Sequence, residues 1–451
     1  MAHFGSKPKT SMKRLILTLL VSNFLTLLCV AQPRTLEECM RYAVENSIAV
    51  GKQEIAVDND KVNLNSNILN LLPSVSGNTG GSFSFGRSID PETNSYQSRT
   101  TFSNSYGLSA SMTLFSGFSA INSIRAAKVA RAIGVGELQI AKDNAALNTM
   151  SAYFDVVYYA GAVEIAREQL AKGQKDLQNV QKLLELGLKS PAEVAEVEAQ
   201  VASYDYTLIT QQNNYEMAMI KLRDEMNYPA DTPLEIETNI PIRLVAPTAT
   251  LEQVMNYAME FNPKIQNATL AVRESKLNLS RAKAALYPHI TANGGYSTSF
   301  YTDMDNSAAY ASWWNQFRDN RGSYIGVSMS IPIFSRLSNR FEKRRAKNSL
   351  RSSMLNEEST RREVQSEISQ AFQQMQGLGK QYVQSSRRVE ASQLAYEGMS
   401  QKFAKGLVSP MELHAAANEL MEARAEQLRV RLNYIIQCRM VDYYNGEPLI
   451  K

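Results

Sequence analysis

Alternating apolar and small polar residues predict four β-strands in this chain. From Tyr106 to Leu114 every second residue is apolar, and glycine, serine or threonine fills most positions between. The same alternation runs from Ile325 to Ile333, and two further segments show it more weakly. A period of two is that of a strand with one apolar and one polar face. The pattern predicts strands at about 74–87, 102–115, 289–302 and 323–334.

Apolar residues at every seventh position predict two long coiled-coil helices. The segment 117–186 contains no proline, and Val156 and Val163 belong to a series with this spacing. Ile368 and Met375 belong to the same series later in the chain. About seventy helical residues at ~1.5 Å each make a rod of roughly 105 Å. Sustained heptads also favour left-handed supercoiling of neighbouring helices.

Both long helices are predicted to end in the same tight turn. Gly187 suits the left-handed position after the last helical turn, and Leu188 can pack back on the helix. Ser190 then suits the N-cap of a new helix, Pro191 its first position and Glu193 a capping box. Helical hairpins are therefore predicted at 187–190 and 406–409. The second hairpin repeats the first through Gly406, Leu407, Ser409, Pro410 and Glu412.

The chain is a tandem duplication. Residues 35–43 read TLEECMRYA and return at 250–258 as TLEQVMNYA, a displacement of 215. The turn at Gly187 returns at Gly406, a displacement of 219, so the second copy holds four extra residues. Fixed-offset similarity of this kind marks an internal repeat. It predicts a first repeat at 32–227, a linker with four prolines at 228–249 and a second repeat at 250–451.

Residues 1–31 are predicted to be an export signal peptide. They contain four basic residues, no acidic residue and a short apolar core that is followed by Ala31. This is the layout of a secretory signal. A membrane anchor is the alternative, although the apolar run is short for one. Lipid attachment at Cys29 is another alternative, but Leu28 before it is larger than the usual small residue.

The composition after the signal is that of a near-neutral globular protein. Four of the 48 basic residues precede position 32, which leaves 44 basic residues against 44 acidic ones. A nucleic-acid-binding protein needs a net basic surface, so nucleic acid is excluded as a partner. Cys39 and Cys438 are too few for a disulfide scaffold. They either pair across the termini or, as the favoured interpretation, are two buried thiols.

Two interpretations of the strands remain open. A soluble, half-buried sheet would show the same alternation. Strands of ten to fourteen residues are also long enough to cross a bilayer at a tilt, and the uncharged polar face and the export signal favour this second interpretation. Four strands cannot close a barrel, because about eight are needed. Membrane insertion therefore predicts that several copies share their strands.

No arrangement of residues in the sequence points to catalysis. The three histidines, His3, His289 and His414, are far apart, and no metal-binding, phosphate-binding or nucleophile motif appears. An enzyme requires such a set of groups. The sequence therefore predicts a protein that is not an enzyme and uses no cofactor or metal.

The duplicated halves, the strand pairs and the Gly-Leu-x-Ser-Pro turns behind an export signal resemble the TolC-like outer-membrane efflux (outer membrane factor) family. The resemblance implies a mainly helical fold of mixed α and β structure in a homotrimer. Each copy would supply four transmembrane strands to one β-barrel in the cell outer membrane, continued by an α-helical tunnel through the periplasm. It also implies a passive exit duct for small toxic molecules or secreted polypeptides. The expected partners are a periplasmic adaptor (membrane fusion) protein, an inner-membrane pump and outer-membrane lipid.

The resemblance also assigns roles to individual residues. The adaptor is expected to dock on the hairpin tips, and Glu412 matches an acidic constriction of the tunnel. Ala415 stands where a second acidic residue is expected, which leaves a single ring of three Glu412 carboxylates. A carboxylate of the capping box is the competing role for Glu412. The docking tips are Gly187, Leu188, Gly406 and Leu407.

Two alternatives stay open at this point. The chain as a whole is also compatible with a non-channel coiled-coil scaffold or adaptor in the periplasm, with a small soluble sheet. Trp313, Trp314 and Phe317 lie in the loop between the second pair of strands. They are interpreted either as aromatic residues at a membrane interface or as a cluster that packs within its own loop.

Overall fold

The computed structural model describes residues 33–89, 94–238 and 249–450. The predicted signal peptide, with Cys29, and most of the proline-rich linker lie outside the described residues. The chain forms two compact units. The first contains the residues up to Glu54 together with Leu138–Asn262 and Arg362 onward, and the second contains Ile55–Glu137 and Pro263–Arg361.

The described helices repeat in order between the two halves of the chain. Those of the first half are α1 (Leu36–Asn46), α2 (Ile48–Leu69), α3 (Ser119–Glu185) and α4 (Pro191–Glu225). Those of the second half are α5 (Leu251–Phe261), α6 (Pro263–Ala284), α7 (Trp313–Asp319), α8 (Ser338–Ala404) and α9 (Pro410–Tyr444). Except for α7, each helix of the second half begins and ends 215 or 219 residues after its counterpart. The structure thus follows the duplication seen in the sequence.

The four strands form one antiparallel sheet in the order β1-β2-β3-β4 within the second unit. The strands are β1 (Ser74–Ile89), β2 (Tyr96–Ser116), β3 (His289–Asp303) and β4 (Gly322–Ser330). β2 begins six residues before its predicted start because it pairs with β1 as far as Tyr96 opposite Ile89. That extension is largely polar and shows no apolar alternation in the sequence.

The predicted end of the last strand at 334 is wrong. β4 stops at Ser330, which pairs with His289, the first residue of β3. Beyond that point β3 offers no partner. Pro332 has no backbone N–H to donate to a sheet. Ile331 and Ile333 keep the alternating pattern, but they lie outside the strand.

Capping residues fix where the short helices begin. The Thr35 side chain accepts a hydrogen bond from the Glu38 N–H, and the Glu38 carboxylate accepts one from the Thr35 N–H. Thr250 and Gln253 form the same capping box at α5. Each box satisfies backbone N–H groups that a helix start leaves unpaired. The repeated nine-residue motif is thus the start of a helix in both halves.

The core of the first unit packs around Tyr153 on α3. This side chain is fully buried with Met150, Val156 and Leu222. Its hydroxyl donates a 2.6 Å hydrogen bond to the Glu237 carbonyl, which lies beside a short parallel bridge between Arg34 and Ile236. The segment that follows α4 is therefore fastened to the segment that precedes α1.

Cys39 and Cys438 are both free thiols in buried positions. The favoured interpretation of the two residues is confirmed, and the alternative of a disulfide is wrong. Burial raises the pKa of the Cys39 thiol to about 12. A thiol with so high a pKa carries almost no thiolate at neutral pH, so it behaves as a small apolar core residue.

Candidate functional site

The sheet has two faces of contrasting chemistry. Ile290, Val327 and Met329 belong to the apolar face, and the cross-strand register places Leu108 and Phe102 on that same face. Several of its large side chains are exposed, Leu108 to 54%, Val327 to 68% and Ile325 to 92%. Single exposed apolar residues are ordinary on a soluble protein, but a continuous face of them marks an interaction surface.

Small hydroxyl-bearing residues line the opposite face. Ser74 and Ser111 form a cross-strand hydrogen bond of 2.9 Å between their side-chain oxygens, and Thr291 and Ser328 form one of 2.7 Å. Ser76–Ser109 and Ser82–Ser103 pairs repeat the 2.9 Å bond. Hydroxyl pairs of this kind support the strand register. They also give a polar lining to the side of the sheet away from the apolar face, and its charged side chains Arg99 and Asp303 pair with each other at 2.8 Å.

The edge of β3 beyond the reach of β4 is completed by side chains of α7. The Gln316 amide accepts from the Tyr301 N–H at 3.0 Å and donates to the Tyr301 carbonyl at 2.8 Å. Asn320 donates to the Ser299 carbonyl at 2.8 Å. These amide groups take the place of a neighbouring strand at Tyr301 and at the Ser299 carbonyl, so these backbone groups are not left bare. In the sequence, Gln316 and Asn320 are only two polar residues between the last two strands, so this role could not be predicted from them.

The two hairpin turns have the geometry predicted for them. Gly187 has φ of +72° and Gly406 of +71°. The Leu188 N–H donates to the Leu183 carbonyl at 2.8 Å, and the Leu407 N–H donates to the Lys402 carbonyl at 3.0 Å. The Gly187 N–H also donates to the Leu184 carbonyl, and the Gly406 N–H donates to the Phe403 carbonyl. The two bonds at each turn are those of a Schellman motif, which ends a helix. A positive φ is costly for other residue types, which explains glycine at both positions.

The helix after each turn begins with a capping box. Ser190 caps α4 with Glu193, and Ser409 caps α9 with Glu412. Pro191 and Pro410 occupy the first helical position, where a missing N–H costs nothing. The Glu412 carboxylate accepts from the Ser409 N–H at 2.8 Å and from its hydroxyl at 3.0 Å. The capping role considered for Glu412 is therefore present in the structure.

The two capping carboxylates differ in their charge balance. Lys189 donates a 2.7 Å hydrogen bond to Glu193, but the corresponding position of the second turn is Val408. Lys189, followed by the Ser190 N–H, lowers the pKa of Glu193 to about 2. The pKa of Glu412 is lowered by the backbone and side chain of Ser409, with a smaller contribution from Lys402. Glu412 thus lacks the close ion pair of Glu193.

The two hairpins pack on one shared apolar cluster in the first unit. Val180 and Val197 from the first hairpin contact Phe403, Leu413 and Leu420 from the second. The Lys189 ammonium also lies 6.0 Å from the centroid of the Phe403 ring. The structure therefore brings the two predicted turns together through buried side chains. Leu188 and Leu407 stay outside this cluster, 68% and 70% exposed.

A buried histidine beside this cluster was not recognised in the sequence. His414 is 8% exposed, and its Nδ1 lies 3.3 Å from the Tyr204 hydroxyl. Burial lowers the pKa of His414, so the ring is neutral at pH 7. The Nε2 atom is buried without a hydrogen-bond partner among the described residues. A lone histidine on a helix gives no sequence signal for such a contact.

Exchanging the residues at positions 189 and 408 should exchange the acid sensitivity of the two hairpins. A carboxyl group whose pKa is lowered in the folded protein stabilises the fold fully above about pH 4.5, the ordinary pKa of glutamate. This stability is lost as the pH falls through the pKa of the folded protein. The cap at Glu193 should therefore survive to lower pH than the cap at Glu412. We expect Lys189→Val to raise the acid midpoint of the first hairpin and Val408→Lys to lower that of the second. Hydrogen exchange of hairpin amides, corrected for intrinsic rates, measures both. Equal acid midpoints for the two hairpins of the native chain would contradict the predicted difference in their acid stability.

Within the described residues, no group of three metal-binding side chains lies close enough to hold an ion. No helix in that part of the chain is long and apolar enough to span a membrane.

A family model described as outer membrane efflux protein matches residues 41–227 and 254–440, one match in each half. The chain belongs to the outer membrane efflux protein family. The resemblance seen in the sequence is thereby confirmed, and the two matches follow the duplication. Its members are channels of the outer membrane that serve efflux systems.

Individual relatives are distant in sequence and close in fold. The chain is 21% identical to outer membrane efflux protein BepC of Brucella suis biovar 1 (strain 1330) over 362 residues, 79% of this chain and 74% of that protein. It is 22% identical to outer membrane protein TolC of Escherichia coli (strain K12), over 64% of this chain and 59% of TolC. The crystal structure of the Campylobacter jejuni CmeC outer membrane channel superimposes with a TM-score of 0.76 at 16% identity, over 92% of this chain and 87% of CmeC.

Proposed function

We propose that three copies of this chain form an outer-membrane exit duct of a multicomponent efflux or secretion system. The duct conducts passively the substrates that an inner-membrane pump delivers through a periplasmic adaptor. The chain itself performs no catalysis in this proposal, and the pump supplies the energy. The helices continue the membrane part as a tunnel through the periplasm.

The observation that carries the proposal is a sheet with one exposed apolar face and two open edges. Among the described strands, β1 pairs with β2 alone and β4 with β3 alone. An open edge in lipid leaves backbone groups without hydrogen bonds, so a spanning sheet must close. Four strands are too few, but twelve from three copies suffice. A soluble scaffold would instead leave the apolar face in water, which soluble proteins avoid.

The height of the apolar face fits a bilayer. Ile290 and Phe300 lie on this face of β3, ten residues apart. Ten residues at ~3.3 Å each span about 33 Å along the strand, and a tilt of ~40° reduces this to about 25 Å. That is the height of the apolar band of outer-membrane proteins. The hydroxyl face would then line the lumen, where a polar surface lets solutes pass.

Ion conductance tests the proposed duct and the role of Glu412 together. The purified protein should run as a trimer in detergent and conduct ions in a planar lipid bilayer with potassium chloride on both sides. Three carboxylates close to one axis attract cations. We expect Glu412→Ala to lower the preference for K⁺ over Cl⁻. Glu193→Ala removes an equivalent capping box and should leave the selectivity unchanged, because that carboxylate is paired with Lys189.

Two results would contradict the proposal. A monomer that is soluble without detergent would exclude the duct. Equal selectivity changes in the Glu412 and Glu193 variants would exclude a constriction at Glu412 and would leave capping as its role.

The exposed leucines at the turns are the proposed contacts of the adaptor. Burial of a leucine side chain in an interface contributes about 1.5–3 kcal/mol. Glutamate at Leu188 and Leu407 should reduce the adaptor recovered with the duct after cross-linking in cells by about tenfold or more. The yield of trimer should not change, since both side chains are outside the core. Leu188→Met with Leu407→Met is the matched control and should retain the adaptor. Normal recovery with both glutamates present would exclude this docking surface.

A further inference from the structure

The short helix α7 is fixed along the outer part of β3. Besides the Gln316 and Asn320 bonds, the Thr298 hydroxyl donates to the Phe317 carbonyl at 2.7 Å. Ser312 caps the helix by accepting from the Asn315 N–H at 3.4 Å. Hydrogen bonds from the middle of α7 and from Asn320 just after it hold the helix to β3, and the Ser312 cap fixes where the helix begins. The helix is therefore packed on the sheet and is not a free loop.

The aromatic rings of α7 lie over the apolar face of the sheet. Trp313 and Phe317 both meet the Tyr106 ring edge-on, at centroid distances of 6.2 Å and 5.4 Å. Tyr106 is paired with Thr298 in the register, and both are on the face that carries Leu108. The helix thus covers the apolar face and not the hydroxyl face.

Three rings of α7 form one flat, exposed stack. Trp313, Trp314 and Phe317 have interplanar angles of 8° to 22° and centroid distances of 4.9 Å to 5.8 Å. Trp314 remains 68% exposed. The rings pack together within the loop, as one of the two interpretations made from the sequence predicts, and they also leave an apolar surface. That surface adjoins the apolar face at Tyr106.

The stack rests on Tyr106, four residues along β2 from an aromatic end of the apolar face. Phe83 and Phe102 are cross-strand partners with centroids 4.8 Å apart, and Phe300 lies 6.3 Å from Phe102. Phe300 ends the apolar stretch of about 25 Å derived above. Aromatic residues form such girdles where the hydrocarbon core of a bilayer meets the headgroups. The indole ring suits this boundary because it is apolar with a single polar N–H.

We propose that α7 is a membrane-interface helix whose ring stack lies among outer-leaflet lipids, at the boundary between their headgroups and acyl chains. The proposal rests on the proposed function, because it requires the apolar face to be in lipid. It adds a specific lipid contact with no counterpart in the described part of the first half: six residues connect β1 to β2, whereas the β3–β4 connection contains α7. The helix would hold the outer rim of each copy at a fixed depth.

Tryptophan fluorescence tests the proposal without any mutation. Trp313 and Trp314 are the two tryptophans of the entire chain, so its tryptophan emission reports on α7 alone. The native protein is placed in phosphatidylcholine vesicles whose acyl chains carry bromine either near the ester end or near the methyl end. Iodide is added to the water as a polar quencher. We expect a larger loss of emission with bromine near the ester end, and little loss with iodide.

A control variant separates failure of this proposal from failure of the duct. Trp313→Phe, Trp314→Phe and Ile325→Trp together move the fluorophore to the middle of the apolar face, and this tryptophan should be quenched most by bromine near the methyl end. If the control behaves so but the native protein is quenched by iodide alone, α7 faces water and the proposal is overturned. Protection of the native protein from both quenchers would overturn it too, since another copy would then cover the rings. Quenching of the control by iodide alone would instead contradict the proposed function.

Discussion

Replacing Ile325 with arginine is expected to prevent most of the protein from assembling in the membrane, whereas arginine at Gly326 is expected to be tolerated. The two residues are neighbours on β4 and lie on opposite faces of the sheet. Ile325 is 92% exposed on the apolar face, near the middle of its height. Arginine near the bilayer midplane costs about 2–4 kcal/mol, equivalent to roughly 30-fold or more in an equilibrium.

The control at Gly326 is well matched. A Cβ added there meets no atom within 4 Å, so the site accepts a side chain without a clash. Arginine at this position would point into a water-filled lumen and keep its hydration. The measurement is the fraction of each variant recovered as trimer from outer membranes. Equal recovery of the two variants would contradict the assignment of the apolar face to lipid.

Truncation of Leu413 to alanine is expected to loosen both hairpins. Leu413 is 1% exposed within the cluster that joins them, next to Val180 and Val197. Removing a buried leucine side chain costs about 2–5 kcal/mol, because contacts are lost and a cavity remains. The cost falls on the packing of the second hairpin against the first. If that packing keeps the duct closed, the variant should conduct ions more readily than the native protein.

Two measurements detect the loosening of the hairpins in the Leu413→Ala variant. Hydrogen exchange of the amides in the two turns should become faster, and the mean conductance in a planar bilayer should rise. Met411→Ala is the control, since Met411 is 70% exposed two residues earlier on the same helix. Unchanged exchange in the Leu413 variant would show that the cluster does not hold the hairpins. Faster hydrogen exchange with unchanged conductance would show that the packing of the two hairpins does not keep the duct closed.

The hairpins could be predicted from the sequence because their chemistry is local. Gly187 and Ser190 each satisfy a backbone requirement that depends on the nearest few residues, and the second copy repeats it. The long helices were predictable for a related reason. Ile368, Met375 and Phe403, which follow the heptad spacing, are buried in the structure. Helix packing requires such spacing, so the sequence records it.

Other features depend on distant partners and left no local signal. The strand-to-helix junctions hold pairs of consecutive left-handed residues, Gly117-Phe118 and Arg336-Leu337. Arginine and leucine rarely adopt this conformation, so tertiary structure must impose it in the second half. β4 ends early because β3 begins at His289, a limit set by the partner strand. The difference between Lys189 and Val408 was visible in the sequence, but its consequence required the 2.7 Å contact with Glu193.

The most direct test of the central claim is an electron cryomicroscopy map of the full-length protein in lipid nanodiscs. We predict three copies in which β4 of each pairs with β1 of the next, so that twelve strands form a closed ring inside the lipid belt with the hydroxyl face toward the axis. A map in which the sheet lies outside the lipid, or closes within a single copy, would contradict the account.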